Sequence, residues 1–138
     1  MTLPAAPMRT LCGIDLVDFD HLEDVMSRHE GFEQRVFTEE ERSWCRARGK
    51  PTQHFAARFA AKEALLKALG MGASATAIDR TWQDIEVERT EGPPTLVLRG
   101  KVRRRADALG AHGICVSLSH GNRQAVAVVT ALAPEEVA

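Results

Sequence analysis

The stretch HFAARFAAKEALLKALG, residues 54–70, constrains the fold more than any other part of the sequence. Long apolar side chains and alanines occupy most of its circumference, a pattern typical of a helix buried on more than one side. At about 100° per residue, Phe and Leu collect on one side and Ala on another, and the alanine side lets a second backbone approach closely. We therefore predict a long central helix with two packed faces, ending at Gly70 and Gly72.

The remaining segments alternate between strand and helix signals. Leu11–Val17 predicts a short strand, and Asp18 can cap a helix that runs to about Arg28. Thr38 and Glu41 have the spacing of a capping box, which makes Glu41 a cap rather than a catalyst. Two further strands are predicted at IEVER and TLVLR, and the turn EGPP joins them into a hairpin over 84–99. KVRRRADALGAHG predicts a basic helix, and the last two strands are predicted at ICVSLSH and AVAVVTAL. This order predicts an α+β fold, a mainly antiparallel sheet packed with the long central helix.

Length and composition indicate one soluble domain. The chain has 138 residues and a net charge of −1, so it carries no overall nucleic-acid or membrane signature. We predict a single domain over 9–133, with flexible tails at 1–8 and 134–138. The three cysteines form neither a disulfide framework nor a zinc motif. Together with the absence of a signal peptide or a membrane-spanning run, they favour a reducing, cytoplasmic location.

Three charged residues, Lys62, Glu63 and Lys67, lie in the middle of the apolar helix. The simplest interpretation is a surface pair between Glu63 and Lys67, worth about 0.3–0.5 kcal/mol when exposed. Lys62 would then extend its stem over apolar surface and place its ammonium in water. A functional role requires partners elsewhere in the chain.

Two candidate partners are Asp15 and His120. Asp15 interrupts an apolar strand, where an unpaired carboxylate is costly unless a cation neutralises it. A strand carboxylate and a helix carboxylate beside lysines could hold Mg²⁺, with substrate phosphate oxygens completing the coordination. The alternatives are a salt-bridged strand-end Asp15 and a hydrogen-bonded strand-end His120.

Four segments in order carry a family resemblance: GIDLVDFDHL, RVFTEEE, RFAAKEALLKALGMG, and VSLSH followed by a terminal apolar strand. With them the chain resembles the holo-acyl-carrier-protein synthases, the short, single-module bacterial 4′-phosphopantetheinyl transferases. The resemblance implies Mg²⁺-dependent transfer of 4′-phosphopantetheine from coenzyme A to a serine of an apo acyl carrier protein or carrier domain. Adenosine 3′,5′-bisphosphate would be released, and the enzyme would be a homotrimer with ligand clefts between subunits.

The resemblance also assigns residues. Asp15 and Glu63 match the metal ligands and Lys67 the lysine near the diphosphate, which makes these three the predicted catalytic residues. The positions that match those surrounding coenzyme A are Arg58, Lys62, Lys67, Gly70, Pro94 and His120, and Lys50 is a further candidate.

The first helix departs from the family pattern. Members usually carry arginines there that dock an acidic carrier, whereas DFDHLEDVMSRHE is acidic and has only Arg28 as a basic residue. His21 stands where an arginine is common. We therefore hypothesise an unusual, less acidic carrier; the alternative is docking through Arg28, Arg35, Val25 and Phe32.

Two other functions fit parts of the sequence. One is a catalytically silent carrier-binding module of the same fold, against which the complete set of Asp15, Glu63, Lys67 and His120 argues. The other is a Mg²⁺-dependent nucleotide or diphosphate hydrolase, for which the sequence offers no evident dedicated water-activating base.

Overall fold

A computed structural model describes residues 6–72 and 81–135 and has the predicted α+β architecture. The three-stranded sheet has the order β1-β5-β4, and β2 and β3 form a separate hairpin; every strand pair is antiparallel. The elements are β1 (Met8–Asp18), α1 (Phe19–Arg28), α2 (Phe32–Val36), α3 (Glu39–Arg46), α4 (Pro51–Ala68), a 3-10 turn (Thr81–Asp84), β2 (Ile85–Glu88), β3 (Thr95–Leu98), α5 (Gly100–Leu109), β4 (His112–His120) and β5 (Gln124–Pro134).

The alanine face of α4 packs directly against the backbone of β1, as predicted. Ala60, Ala61 and Ala64 have no exposed surface. A Cβ atom built on Gly13 would lie 1.9 Å from the Ala64 carbonyl oxygen, so only glycine permits this contact. The close approach fixes β1 against the second half of α4 and thereby places Asp15, two residues further along β1, beside that helix.

The predicted caps are confirmed. Asp18 Oδ1 accepts a hydrogen bond from His21 N at 2.9 Å, and Thr38 and Glu41 form a complete capping box. At the end of α4, Gly70 has φ 72°. Met71 N donates to Leu66 O at 2.7 Å, and Gly70 N donates to Lys67 O, which together form a Schellman motif.

Several boundaries differ from the predictions. α4 starts at Pro51 rather than at residue 54, because proline, lacking an N–H, suits the first helical turn. β1 is longer than predicted because it pairs with β5 from Met8 to Asp18. The two strands thus extend one residue into each predicted tail. α2 was not predicted, and residues 73–80 of the predicted loop lie outside the described residues.

One face of the three-stranded sheet is not covered by α4. We call it the outer sheet face; it includes Ile14 and Leu16, each 58% exposed, and Leu132, 44% exposed. Val126 and Val128 of β5 pair with Leu16 and Ile14 and share this face. None of the helices in the described ranges is long and apolar enough to cross a membrane.

Candidate active site

Asp15 and Glu63 line the same cavity, about 520 Å³ in volume, between β1, α1 and α4. Asp15 belongs to the face of β1 that meets α4, because the close packing at Gly13 sets the alternation of the strand. The cavity is otherwise mostly apolar and is lined in addition by Leu16, Val17, Asp18, His21, Leu22, Val25, Phe32 and Phe59. Two carboxylates remote in sequence therefore converge on one cavity of ligand-binding size.

Lys67 forms an ion pair with Asp15. Its Nζ lies 3.0 Å from Asp15 Oδ1 and donates to the carbonyl oxygen of Ile14, also at 3.0 Å. The Lys67 side chain is 48% exposed and that of Asp15 is 18% exposed. The predicted surface pair between Glu63 and Lys67 is replaced by this contact across the helix–strand junction, which gives the Asp15 carboxylate a partly exposed cationic partner.

Glu63 is held by Trp82 of the 3-10 turn. The indole Nε1 donates to Glu63 Oε1 at 2.6 Å. Burial raises the pKa of Glu63 above its usual range; the Trp82 hydrogen bond opposes this shift, the negative charge of Asp15 adds to it, and Lys67 opposes it. The mutual repulsion between the two acids is what a shared divalent cation would relieve.

Lys62 is not brought to this cavity. Its side chain is fully buried, so the expectation that its ammonium reaches water is wrong. The three N–H donors are used by Glu41 Oε1 at 2.7 Å, Val36 O at 2.7 Å and Trp82 O at 3.0 Å. Burial lowers the pKa of Lys62, and Glu41 opposes that shift. With three donors and three acceptors, Lys62 has no N–H left for coenzyme A and acts inside the core.

Arg58 lines a second cavity, of about 390 Å³, together with Trp44. Its guanidinium lies 4.2 Å from the centre of the Trp44 ring, which Arg48 also approaches to 4.0 Å. Arg58 Nη1 donates to His54 O, while Nε is buried and has no hydrogen-bond partner within the described ranges. The cavity is also lined by Glu40, Glu41, Glu86, Glu88 and Arg89, so carboxylates outnumber guanidinium groups there, and Arg58 itself is only 3% exposed.

The other predicted ligand residues do not line the cavity that contains Asp15 and Glu63. His120 ends β4 and lines a third cavity, about 550 Å³, together with Arg123. His120 is nevertheless near α4. Burial lowers the pKa of His54, a residue of α4, and neighbouring cationic side chains, among them His120, lower it further. Pro94 lies in the β2–β3 turn, Lys50 immediately precedes α4, and Gly70 is beside Lys67 in a shallow depression.

The donor set at Asp15 and Glu63 fits Mg²⁺. Mg²⁺ prefers oxygen ligands and is usually bound by one or two carboxylates plus substrate phosphates and water. Within residues 6–72 and 81–135, His, Cys, Asp and Glu do not form a group of three that could hold a metal ion. The donor set is therefore this pair of carboxylates, with Lys67 alongside.

Comparison with known proteins identifies the class. Residues 11–129 match the sequence profile of the 4′-phosphopantetheinyl transferase superfamily. The chain belongs to this superfamily.

Individual relatives are more specific. The chain is 44% identical over 117 residues to a holo-[acyl-carrier-protein] synthase of Moorella thermoacetica, covering 84% of this chain and 88% of the relative. Among solved structures, it is similar to an ACPS–CoA complex from Chronobacterium ammoniagenes, with a TM-score of 0.77, 27% identity, and coverage of 93% and 99%. A Bacillus anthracis holo-(acyl-carrier-protein) synthase in complex with CoA (3′,5′-ADP) gives a TM-score of 0.69, 28% identity, and coverage of 92% and 99%.

Sequence reasoning missed two aromatic residues near the candidate ligands. Trp82 binds Glu63 and Trp44 packs against Arg58. Both contacts join segments far apart in the chain, so no local spacing predicts them. The sequence offers one hint toward these residues: the chain has only two tryptophans, and each of them makes one of these contacts.

Proposed function

We propose that this protein is a holo-acyl-carrier-protein synthase. It transfers 4′-phosphopantetheine from coenzyme A to a serine of an apo acyl carrier protein or carrier domain and releases adenosine 3′,5′-bisphosphate. The observation that carries this proposal is the convergence of Asp15 and Glu63 on one cavity with Lys67 beside them. The names of the curated relatives and the coenzyme A complexes of its structural neighbours support it. The free cysteines suit a reducing cytoplasm, where we place the enzyme.

We assign Mg²⁺ to Asp15 and Glu63. When bound, it would neutralise negative charge on the diphosphate of coenzyme A. Lys67, fixed by Ile14 O and Asp15, provides a positive charge at the same place. Phosphoryl transfer depends mostly on positioning and charge stabilisation, so this arrangement needs no covalent enzyme intermediate. Glu63, or a water held at the metal site, would accept the serine proton.

Mass spectrometry of the carrier tests the transfer. Incubation with coenzyme A, Mg²⁺ and several apo carriers should add one phosphopantetheine to at least one of them. Asp15→Asn and Glu63→Gln should each slow transfer at least about 100-fold, because several kcal/mol of charge stabilisation depend on the metal site. Asp107→Asn, in an exposed pair with Arg103 on α5, is the control. Coenzyme A binding without a mass gain on any carrier would indicate a silent module, and diphosphate cleavage without a carrier would indicate a hydrolase.

We further propose that coenzyme A lies between subunits of a homotrimer. The predicted ligand residues of one protomer are divided among separate cavities: Asp15 and Glu63 in one, Arg58 in another and His120 in a third. The exposed apolar side chains of the outer sheet face provide a surface for association. Arg58, His120, Lys50 and Pro94 would then meet the donor across the subunit boundary, and Gly70 would meet it beside Lys67 on the same protomer.

Subunit complementation tests this shared site. Asp15→Asn and His120→Ala should each be inactive alone, whereas a refolded mixture should regain activity at interfaces that combine an intact Asp15 with an intact His120. A mixture that stays as inactive as its components would refute a site shared between subunits. Sedimentation of the parent protein checks that three copies are present.

The charge of α1 bears on the carrier. Asp20, Glu23 and Asp24 are exposed, and the one basic residue of the helix, Arg28, is paired with Asp24 at 2.9 Å. His21 lines the cavity that contains Asp15 and Glu63, so a carrier serine entering there passes this acidic helix. We propose an acceptor less acidic than a standard carrier. His21→Arg combined with Glu23→Arg should accelerate association with a standard acidic carrier at low salt; an unchanged rate would show that this charge is not limiting.

A further inference from the structure

The contact between Trp82 and Glu63 links the candidate metal site to a part of the chain outside α4 and β1. Trp82 is 8% exposed, and its Nε1 donates to Glu63 Oε1 at 2.6 Å. A glutamate side chain has several rotatable bonds and loses much rotamer freedom when it is ordered. A buried indole N–H at this distance selects the Glu63 conformations in which Oε1 accepts the bond.

The indole is itself held in place. The carbonyl oxygen of Trp82 accepts a hydrogen bond from Lys62 Nζ at 3.0 Å, and Lys62 is paired with the buried Glu41. The next residue, Gln83, donates to the carbonyl oxygens of Gln34 and Phe37 at 2.6 and 2.7 Å. The 3-10 turn is therefore fixed to the α2–α3 region and to α4, and the direction of the indole N–H is set by the core.

We propose that Trp82 is a positioning residue that orients the Glu63 carboxylate so that it and Asp15 bind one divalent cation. The inference rests on the proposed metal site at these two residues. A carboxylate that is held ready for the cation binds it more tightly, because the conformational cost has been met during folding. Lys62, which donates to the carbonyl oxygen of Trp82, supports the same arrangement from within the core.

Trp82→Phe tests the proposal, since it removes the N–H and keeps an aromatic ring to pack against Phe59, whose ring centre lies 6.1 Å from that of Trp82. We expect the Mg²⁺ concentration for half-maximal transfer to rise about 10–100-fold, as for other lost partners of metal ligands. At saturating Mg²⁺, kcat should recover to within a few-fold of the parent. Calorimetric titration of Mg²⁺ into the coenzyme A complex, without carrier, should show the same loss of affinity.

Val102→Ala is the control for general destabilisation. Val102 is fully buried on α5 and lies on an element that does not line the cavity with Asp15 and Glu63. It should lower the free energy of unfolding without changing the Mg²⁺ affinity. An unchanged Mg²⁺ affinity in Trp82→Phe, or equal losses in both variants, would overturn the inference while the parent still transfers phosphopantetheine. If the parent neither binds Mg²⁺ nor transfers the group, the proposed function itself fails.

A second measurement leaves Trp82 intact. In a Trp44→Phe protein, Trp82 is the only tryptophan and its fluorescence reports on the environment of Glu63. Mg²⁺ should change this emission saturably in the coenzyme A complex, and an added Glu63→Gln substitution should abolish the change. An emission that does not respond to Mg²⁺ would refute the coupling, even if Trp82→Phe does not fold.

Discussion

Replacing Lys62 by methionine separates a structural role from a ligand-binding one. Lys62→Met keeps a long unbranched side chain but removes the ammonium that contacts Glu41, Val36 and Trp82 at 2.7–3.0 Å. Glu41, 2% exposed, would be left as a buried carboxylate without its cation, and two carbonyl oxygens would lose a donor. Breaking a buried ion pair from one side typically costs about 3–5 kcal/mol. This is a large part of the total stability of an ordinary domain, about 5–15 kcal/mol.

Urea denaturation followed by circular dichroism measures this cost. The matched control is Lys67→Met, which makes the same substitution about 1.4 turns further along α4. Because the Lys67 side chain is 48% exposed, its pair with Asp15 should contribute no more than about 1 kcal/mol. Both variants and the parent should be compared at one protein concentration, since association adds to apparent stability.

The two variants should show opposite patterns. Lys62→Met should be strongly destabilised, yet in the absence of Mg²⁺ it should bind coenzyme A normally under conditions in which it is folded. Lys67→Met should be nearly as stable as the parent and should lose transfer activity. If Lys62→Met unfolds within about 1 kcal/mol of the parent, or if it loses coenzyme A affinity while folded and free of Mg²⁺, the assignment of Lys62 to the core is wrong.

Three further predictions concern packing, pH and assembly. Gly13→Ala should lower the free energy of unfolding, measured by urea denaturation, by at least about 1–3 kcal/mol and should reduce transfer, because the added Cβ would meet the Ala64 carbonyl oxygen. In the control Gly49→Ala, the added Cβ has nothing within 4 Å, and neither stability nor transfer should change. Folding raises the pKa of the Glu63 carboxyl above its ordinary value of 4.5. The contribution of this group to the free energy of unfolding is therefore fully present below pH 4.5 and is lost as pH rises through the pKa of the folded state. Without metal, Glu63→Gln should therefore be more stable than the parent at pH 7 and equal to it below pH 4.5; a lower stability at pH 7 would contradict this sign. Cys12 and Cys115 both lie opposite Thr130 on the outer sheet face. If the chain associates through that face, both thiols should react slowly with a thiol reagent, and Ile14→Glu, which disrupts the association, should expose them. Cys45, with its pKa raised by burial to about 11, should stay unreactive in both proteins, and equally fast labelling of the parent would argue against this interface.

The sequence predicted the elements that depend on local spacing. The caps at Asp18 and Thr38 and the glycine end of α4 use hydrogen bonds between residues a few positions apart, and all are present. The alanine face of α4 also predicted close backbone packing, although it did not identify Gly13 as the partner. Five-residue α2 has too few positions for a helical period to be recognised.

Partners of charged side chains were harder to predict, because they come from distant segments. Glu63 and Lys67 have the spacing of a surface pair, yet Lys67 reaches 52 residues back to Asp15 and Glu63 reaches 19 residues forward to Trp82. Lys62 illustrates the same limit: its position in the helix does not reveal whether its ammonium faces water or Glu41. Only the packing of α3 and the 3-10 turn against α4 decides between these cases.

The geometry of α4 separates two of the predicted ligand residues. Arg58 and Glu63 are five positions apart, which at about 100° per residue leaves them about 140° apart around the helix axis. A donor that contacts both must therefore pass around α4 or lie between two copies of the chain. The cavity at His120 is also lined by Leu16 and Val126, which belong to the outer sheet face. Association through that face would place His120 at the edge of a subunit boundary. The exposed apolar side chains of β1 and β5 would be buried by this association, which would also bring a second set of ligand residues toward the donor.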